Sequence, residues 1–248
     1  MAERVIAVCG KGGVGKTTIS ALLGRHLAGK SQKVLLVDAD HAGGLSMALN
    51  FASKRTIDDL RRRAITAARE GGADRTELAL SLDFLLAEAL AEKGNLAFLA
   101  IGRPEDPGCF CSVNRLLRDA IELLADSFDI IVIDAEAGIE QVNRQVMRRL
   151  DDLVLVSDSS MKSLRVAESI FELAGTISDG VRAHLVINRL RSAAEFQETA
   201  AKTDLPAVAF IPDDETIRRY DADMLTFLDM PNCLATKSLA SLISALDL

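Results

Sequence analysis

Short runs of apolar residues alternate along the chain with longer segments in which apolar residues recur every three or four positions. The runs are rich in Val, Ile and Leu and lack polar alternation, which is typical of parallel strands covered on both faces. The predicted strands are Val5–Val8, Val34–Val37, Leu96–Ile101, Ile130–Ile133, Leu153–Ser157, His184–Ile187 and Val208–Ile211. The predicted helices are Thr17–Lys30, Ile57–Glu70, Glu77–Glu92, Asn114–Ala125, Ser163–Ala174 and Ala193–Thr203. The alternation predicts an α/β fold, a doubly wound and mainly parallel seven-stranded sheet with helices on both faces.

The length of 248 residues fits one domain with a sizeable core, and no repeat or linker divides it. The segment 52–94 has the least regular pattern, with a run of three arginines at 61–63 and two glycines at 71–72. We predict a helical insertion there, between the second and third strands. The arginine run is interpreted as a solvated helix face.

Composition narrows the classes of function. Hydrophobic residues make up 49% of the chain and charged residues 26%, and the net charge is −7, which disfavours a general nucleic-acid binder. The absence of a long apolar stretch and of a signal-peptide layout predicts a cytoplasmic protein that does not bind membranes. In that compartment four cysteines are more typical of thiols or metal ligands than of disulfides.

A phosphate-binding loop follows the first predicted strand and opens the first predicted helix. It reads Gly10-Lys11-Gly12-Gly13-Val14-Gly15-Lys16-Thr17-Thr18 and satisfies the pattern G-x-x-x-x-G-K-[ST] in its required context. Glycines let backbone N–H groups surround a polyphosphate, and the helix N-terminus adds partial positive charge. Lys16 would reach the β- and γ-phosphates of ATP, and the Thr17 hydroxyl would bind Mg²⁺.

Acidic residues end two other predicted strands. Asp38 and Asp40 close the second strand, and Asp134 closes the run at 130–133 in a Walker B pattern. Ligands sit at the carboxyl ends of strands in open α/β sheets, so Asp134 should hold Mg²⁺ through water. An alternative for Asp134 is a carboxylate that caps a helix.

A cysteine pair, Cys109 and Cys111, precedes the helix predicted at 114–125. Two thiolates are too few for a closed tetrahedral site, but two copies of the pair across a twofold axis would supply four sulfurs. That set suits Zn²⁺ or Ni²⁺. On the motif alone, two ordinary cysteines remain the alternative. Cys9 and Cys233 are interpreted as packing residues.

The lysine directly after the first glycine of the loop identifies a resemblance. The form G-K-G-G-x-G-K-T-T resembles the deviant Walker A motif of SIMIBI-class ATPases, the MinD/ParA superfamily. The resemblance implies that Lys11 crosses a dimer interface to the partner's phosphates, so that the ATP-bound form is a homodimer. It also implies that Asp38 is a Mg²⁺-water ligand and that Asp40 orients the attacking water. His41 stands where that family usually has proline, so its role is open.

Further positions follow from the same resemblance. Gly138 would supply a backbone N–H near the γ-phosphate. Asn188 would read adenine by its amide, with Pro212 on the other flank of the base.

The loop, the V-D-A-D segment, G-C-F-C before a helix and I-D-A-E-A-G-I-E together resemble the CooC-type accessory ATPases, which support nickel insertion into carbon monoxide dehydrogenase. The resemblance implies an inter-subunit Ni²⁺ or Zn²⁺ site at Cys109 and Cys111. It implies ATP or ADP and Mg²⁺ as cofactors. The partner would be an apo carbon monoxide dehydrogenase or a related nickel enzyme.

Two other functions stay open. A MinD/ParA-type positioning or partition ATPase needs a segment that binds a membrane or DNA. The segment 237–246 is apolar on one face but carries only one lysine, so it is a poor match to a basic interfacial helix. An iron-protein-like reductase would need a further cysteine just after the second switch, the segment 135–138 that follows Asp134, and residues 138–150 contain none.

Overall fold

The computed structural model describes residues 4–51, 53–69, 86–103, 111–136, 150–178 and 180–248. Its strands are β1 (Arg4–Gly10), β2 (Val34–Asp38), β3 (Ala91–Lys93), β4 (Leu96–Ala100), β5 (Ile130–Asp134), β6 (Asp152–Ser157), β7 (Arg182–Leu190) and β8 (Ala207–Pro212). Its α-helices are α1 (Lys16–Leu27), α2 (Gly44–Leu49), α3 (Ile57–Arg69), α4 (Cys111–Leu124), α5 (Met161–Ile177), α6 (Ala193–Ala200), α7 (Glu215–Ala222) and α8 (Leu234–Ala245). Short 3₁₀ turns occupy Ala125–Ser127 and Phe227–Asp229, and residues 86–89 are also helical.

The strands form one sheet in the order β3-β4-β2-β5-β1-β6-β7-β8. Every neighbouring pair is parallel except β3 and β4. The chain order reverses at β1, which lies between β5 and β6. In an open α/β sheet, a ligand cleft forms at the carboxyl ends of the strands on either side of such a reversal.

Alternate residues of each central strand enter two separate cores. On β1, Val5 and Ala7 face one core, whereas Ile6 and Val8 face the other. Helices α3, α4 and α5 cover the first core, and α1, α2 and α8 cover the second. The strand runs are apolar throughout because both of their faces are buried.

All seven predicted strands are present, and the sheet has an eighth, β3. The helix predicted over Glu77–Glu92 is wrong at its end, because residues 91–93 pair antiparallel with β4. Gly94, in left-handed conformation at φ 63°, and Asn95 form a two-residue hairpin turn that stops a helix there. Helices α2, α7 and α8 were not among the predicted helices. The helical insertion stays a prediction, since residues 52 and 70–85 lie outside the described residues.

Across the described ranges, no helix is both long enough and apolar enough to cross a membrane.

Candidate functional site

The phosphate-binding loop joins the end of β1 to the start of α1. At two of its glycines, any side chain would clash with a neighbouring strand. A Cβ on Gly10 would lie 2.2 Å from the carbonyl oxygen of Val156, and one on Gly15 would lie 2.2 Å from Nδ2 of Asn188. Gly15 also has a φ of 98°. The loop is therefore pressed against the ends of β6 and β7, a packing that only glycine permits.

Lys16 and Thr17 form the first turn of α1, where the helix dipole is positive. Lys16 is only 7% exposed. The Thr17 hydroxyl donates a 2.8 Å hydrogen bond to Oδ2 of Asp134. The Ser20 hydroxyl, one turn later, donates a 2.9 Å bond to Oδ1 of the same carboxylate. The helix start and the end of β5 are thus joined through one acidic side chain.

Asp38 and Asp134 stand side by side at the carboxyl edge of the sheet. They are register partners in the parallel pairing of β2 with β5, and both are almost fully buried. Burial raises the pKa of Asp38 to about 6 and that of Asp134 to about 7. Desolvation is the largest cause in both cases, and the hydrogen bond from Thr17 opposes it at Asp134.

The donor set of this edge fits Mg²⁺. The Thr17 hydroxyl and two buried carboxylates are hard oxygen ligands, the kind that Mg²⁺ prefers. A divalent cation would offset the desolvation that now raises the pKa values of Asp38 and Asp134.

The loop after β2 is held by backbone donors. Oδ1 of Asp38 accepts from the N–H of Asp40 at 3.3 Å, and Oδ2 accepts from the N–H of Ser46, in α2, at 3.0 Å. The carboxylate of Asp40 accepts from the N–H of Ala42 at 2.9 Å. Asp38 therefore connects the acidic edge to the helix that follows it.

His41, whose role the sequence left open, has a structural contact. Its Nδ1 lies 2.7 Å from the carbonyl oxygen of Gly102, just beyond β4. The ring therefore ties the loop after β2 to the loop after β4.

Asn188 and Pro212 end neighbouring strands. Asn188 pairs with Ile211 and Leu190 with Pro212 in the β7–β8 register. Nδ2 of Asn188 donates a 2.8 Å bond to the Val14 carbonyl, so the amide holds the phosphate-binding loop. Its predicted role in reading adenine stays a prediction.

Three predicted site positions have limited or no description. Cys109 and Gly138 lie outside the described residues, and Cys111 is the first residue of α4. The cysteine site and the second switch therefore stay predictions. Lys11 is half-buried within the loop.

The two remaining cysteines, Cys9 and Cys233, lie beside the two cores. Cys9 is fully buried, and burial raises the pKa of its thiol to about 12. Cys233 is half-buried and precedes α8. Both contact the core beside their strand or helix, in agreement with their interpretation as packing residues.

Sequence reasoning missed three contributors: Ser20, the backbone of Ser46 and Arg189. The spacing of Ser20 from Thr17 gave a signal, since residues three apart share a face of a helix. Ser46 contributes its N–H, which no side-chain pattern reveals. Arg189 depends on an irregularity in β7 that is described below.

Comparisons with known proteins agree with this geometry. The sequence pattern of the AAA domain family matches residues 3–187. An uncharacterized ATP-binding protein of Methanocaldococcus jannaschii is 32% identical over 237 residues, which cover 92% of this chain and 91% of that protein. The carbon monoxide dehydrogenase accessory protein CooC of Rhodospirillum rubrum is 27% identical over 253 residues, covering 98% of this chain and 96% of that protein.

Among solved structures, the septum site-determining protein MinD of Pyrococcus horikoshii OT3, complexed with Mg-ADP, superposes with a TM-score of 0.72 at 22% identity. The match covers 100% of this chain and 96% of that one, and it shows the shared fold. The family match, the full-length relatives and the loop at 10–18 lead to one conclusion. The chain belongs to the AAA domain family and is a P-loop ATPase of the SIMIBI class, related to CooC.

Proposed function

We propose that this ATPase is a metallochaperone or maturation factor that couples ATP binding and hydrolysis to nickel insertion into a carbon monoxide dehydrogenase-type enzyme. The observation that carries the proposal is the similarity to CooC along nearly the whole of both chains. The cysteine pair at 109 and 111 supports it, because thiolates are ligands for nickel and zinc.

In this proposal the described edge of the sheet binds Mg-ATP. Lys16 contacts the β- and γ-phosphates, and the backbone N–H groups of residues 10–18 surround them. Thr17, Asp38 and Asp134 hold Mg²⁺, which supplies charge neutralisation of the phosphates. The carboxylate of Asp40 orients the attacking water. Burial of Lys16 strengthens its attraction for phosphate, since the surrounding dielectric is low.

The remaining predicted residues complete the nucleotide site. Gly138 provides an N–H near the γ-phosphate, whose loss on hydrolysis releases that segment. Asn188 and Pro212 flank adenine at the ends of β7 and β8. Lys11 adds positive charge to the partner's phosphates, as an arginine finger does.

Dimerisation couples the two chemistries. ATP favours the closed homodimer, in which Cys109 and Cys111 of both chains hold one metal ion. If the metal binds only that state, ATP and metal tighten each other's binding. Hydrolysis then opens the dimer and delivers the metal to the apo-enzyme.

A metal titration tests this coupling. Ni²⁺ or Zn²⁺ is titrated into the wild type and into Cys109→Ala/Cys111→Ala, each with and without a non-hydrolysable ATP analogue. We expect one tight ion per dimer only in the wild type with the analogue. Cys233→Ser is the matched control, because serine keeps the position before α8 polar and capping-competent. Equal binding in all four conditions rejects the proposal.

The MinD-like fold keeps a positioning ATPase as the second candidate. One structural fact weighs against a membrane-binding helix at 237–246. In α8, which includes most of that segment, Leu239, Leu242 and Ile243 are buried against the second core. Co-sedimentation with anionic liposomes and with DNA, in the presence of ATP, decides between the candidates. Clear binding to either would favour the second.

A further inference from the structure

The end of β7 carries an irregularity beside the phosphate-binding loop. The register between β7 and β8 shifts between Asn188 and Leu190, so Arg189 is the bulged residue. Its φ is 60°, in the left-handed region that glycine occupies at little cost and arginine does not. Bulges re-aim side chains next to active sites. A non-glycine residue here raises the question of what its side chain does.

Arg189 reaches the loop. Its Nη1 donates a 3.0 Å hydrogen bond to the carbonyl of Gly13, while the neighbouring Asn188 donates through Nδ2 to the carbonyl of Val14. The Asn188 side chain is itself fixed, because its Oδ1 accepts from the N–H of Arg189 at 2.9 Å. Two consecutive residues of β7 therefore donate hydrogen bonds to two consecutive carbonyls of the loop.

These two hydrogen bonds fix the direction in which the N–H groups of the loop point. In a planar trans peptide, the C=O and the following N–H point in opposite directions. Holding the Gly13 carbonyl toward β7 turns the N–H of Val14 away from β7, and holding the Val14 carbonyl does the same for Gly15. These N–H groups belong to the segment that surrounds phosphate in a P-loop. Preorganised donors bind an anion without a reorganisation cost.

We propose that Arg189 is a positioning residue for ATP binding, which preorganises the phosphate-binding loop through the Gly13 carbonyl. The bulge orients the guanidinium toward the Gly13 carbonyl. This orientation requires the unfavourable left-handed backbone conformation of Arg189. The proposal depends on the ATPase assignment alone and is independent of the cysteine site and its metal.

The decisive variant is Arg189→Gly, which removes the guanidinium and relieves the backbone at once. We expect the Kd for ATP to rise about five- to tenfold, as for the loss of one charge-assisted hydrogen bond. KM should rise in parallel while kcat stays within about twofold, because the residues at the reacting phosphate are unchanged. The melting temperature of the nucleotide-free protein should be equal or higher, since a left-handed residue has become glycine.

Two further variants separate the effect of the Arg189–Gly13 hydrogen bond from the general effect of removing an arginine. Arg189→Lys keeps a donor and the charge, and should recover most of the affinity. Arg191→Ala removes an exposed arginine of the same segment, whose partner is Glu195, and should leave the Kd for ATP unchanged. Hydrogen exchange at the Val14 and Gly15 amides should accelerate in Arg189→Gly and not in Arg191→Ala.

Two results would overturn the proposal. One is wild-type ATP affinity in Arg189→Gly. The other is weaker ATP binding by Arg189→Gly together with a melting temperature of the nucleotide-free variant that is clearly below that of the wild type. That result would make Arg189 a structural residue only.

Discussion

Two buried acidic sites lie at opposite ends of the same sheet, and their partners differ. At the amino end, Asp152 is fully buried and is surrounded by cationic side chains. Arg4 donates to it at 2.6 Å, and Arg182 lies at 3.0 Å. His184 Nε2 is 2.7 Å from its Oδ1. At the carboxyl end, the described partners of Asp134 are the two hydroxyls of α1.

We interpret the difference as that between a structural acid, Asp152, and the candidate functional acids, Asp38 and Asp134. The fold itself supplies the cations of Asp152, joining β1, β6 and β7. Burial at the other end is not offset in the same way, and it raises the pKa values of Asp38 and Asp134. Buried carboxylates whose charge the fold offsets only in part can be stabilised by an added cation, and perturbed pKa values of this kind cluster at functional sites.

Removing the structural acid should give the largest change in stability. Asp152→Ala leaves Arg4 and Arg182 without their shared carboxylate, and we expect a loss of about 3–5 kcal/mol in the free energy of unfolding. Urea denaturation measures it. Asp247→Asn is the matched control, because this residue faces the same arginines from an exposed position and should cost about 0.5 kcal/mol or less. Similar losses in both variants would contradict the assignment of Asp152 as a buried structural acid.

Replacing the candidate functional acid should lower activity and raise stability. We expect Asp134→Asn to lower kcat at least about 100-fold, because in the proposed function Asp134 helps to hold the Mg²⁺ that neutralises the phosphates. The nucleotide-free variant should melt at a higher temperature than the wild type, since a desolvated carboxyl has become neutral. Steady-state ATPase assays and thermal unfolding check the two halves. A variant that is inactive but less stable would contradict the expected gain in stability, and it would leave no contrast in stability between Asp134 and Asp152.

The contribution of Asp134 to the stability of the metal-free protein should become less favourable between pH 4 and pH 7. The Asp134 carboxyl has a pKa of about 7 in the folded state and an ordinary value near 3.8 when unfolded. Over this range the unfolded chain has released the proton while the folded chain retains it, so rising pH favours unfolding. We expect the wild type to lose on the order of 2 kcal/mol more than Asp134→Asn across the range.

Urea midpoints in EDTA at several pH values give this difference. Parallel curves for wild type and variant would contradict the expected behaviour, whatever the other titrating groups contribute to both.

The smallest expected effect concerns Ser20. Ser20→Ala removes one hydroxyl from Asp134, and we expect ATPase activity at limiting Mg²⁺ to fall about three- to tenfold. Ser46→Ala is the control, since Ser46 contacts Asp38 through its backbone N–H and keeps that bond. A Mg²⁺ titration of the ATPase rate distinguishes them, and equal curves for the two variants would exclude a role for the Ser20 hydroxyl.

Local patterns made the candidate site predictable. The loop at 10–18 and the acids at the ends of β2 and β5 are read from consecutive residues, and their strands are continuous apolar runs. The fold class followed from the same runs. β3 was missed because three residues are too few for a pattern, and its pairing depends on the turn at 94–95.

Contacts between distant segments were beyond the sequence. The cations of Asp152 come from positions 30 residues downstream and 148 upstream, and no spacing connects them. The bond from Asn188 to Val14 joins residues 174 apart. The bulge at Arg189 is equally hidden, because β7 reads as an ordinary strand and the shift exists only relative to β8.

The burial of Cys9 has a practical consequence for thiol chemistry. The thiolate is the form of cysteine that attacks an alkylating reagent, and a fully buried thiol with a pKa of about 12 forms almost none of it at neutral pH. In a Cys233→Ser background, alkylation of the native protein would therefore report on Cys109 and Cys111 without interference from the other cysteines. Mass spectrometry of the labelled chain could then follow protection of that pair as nucleotide and metal are added.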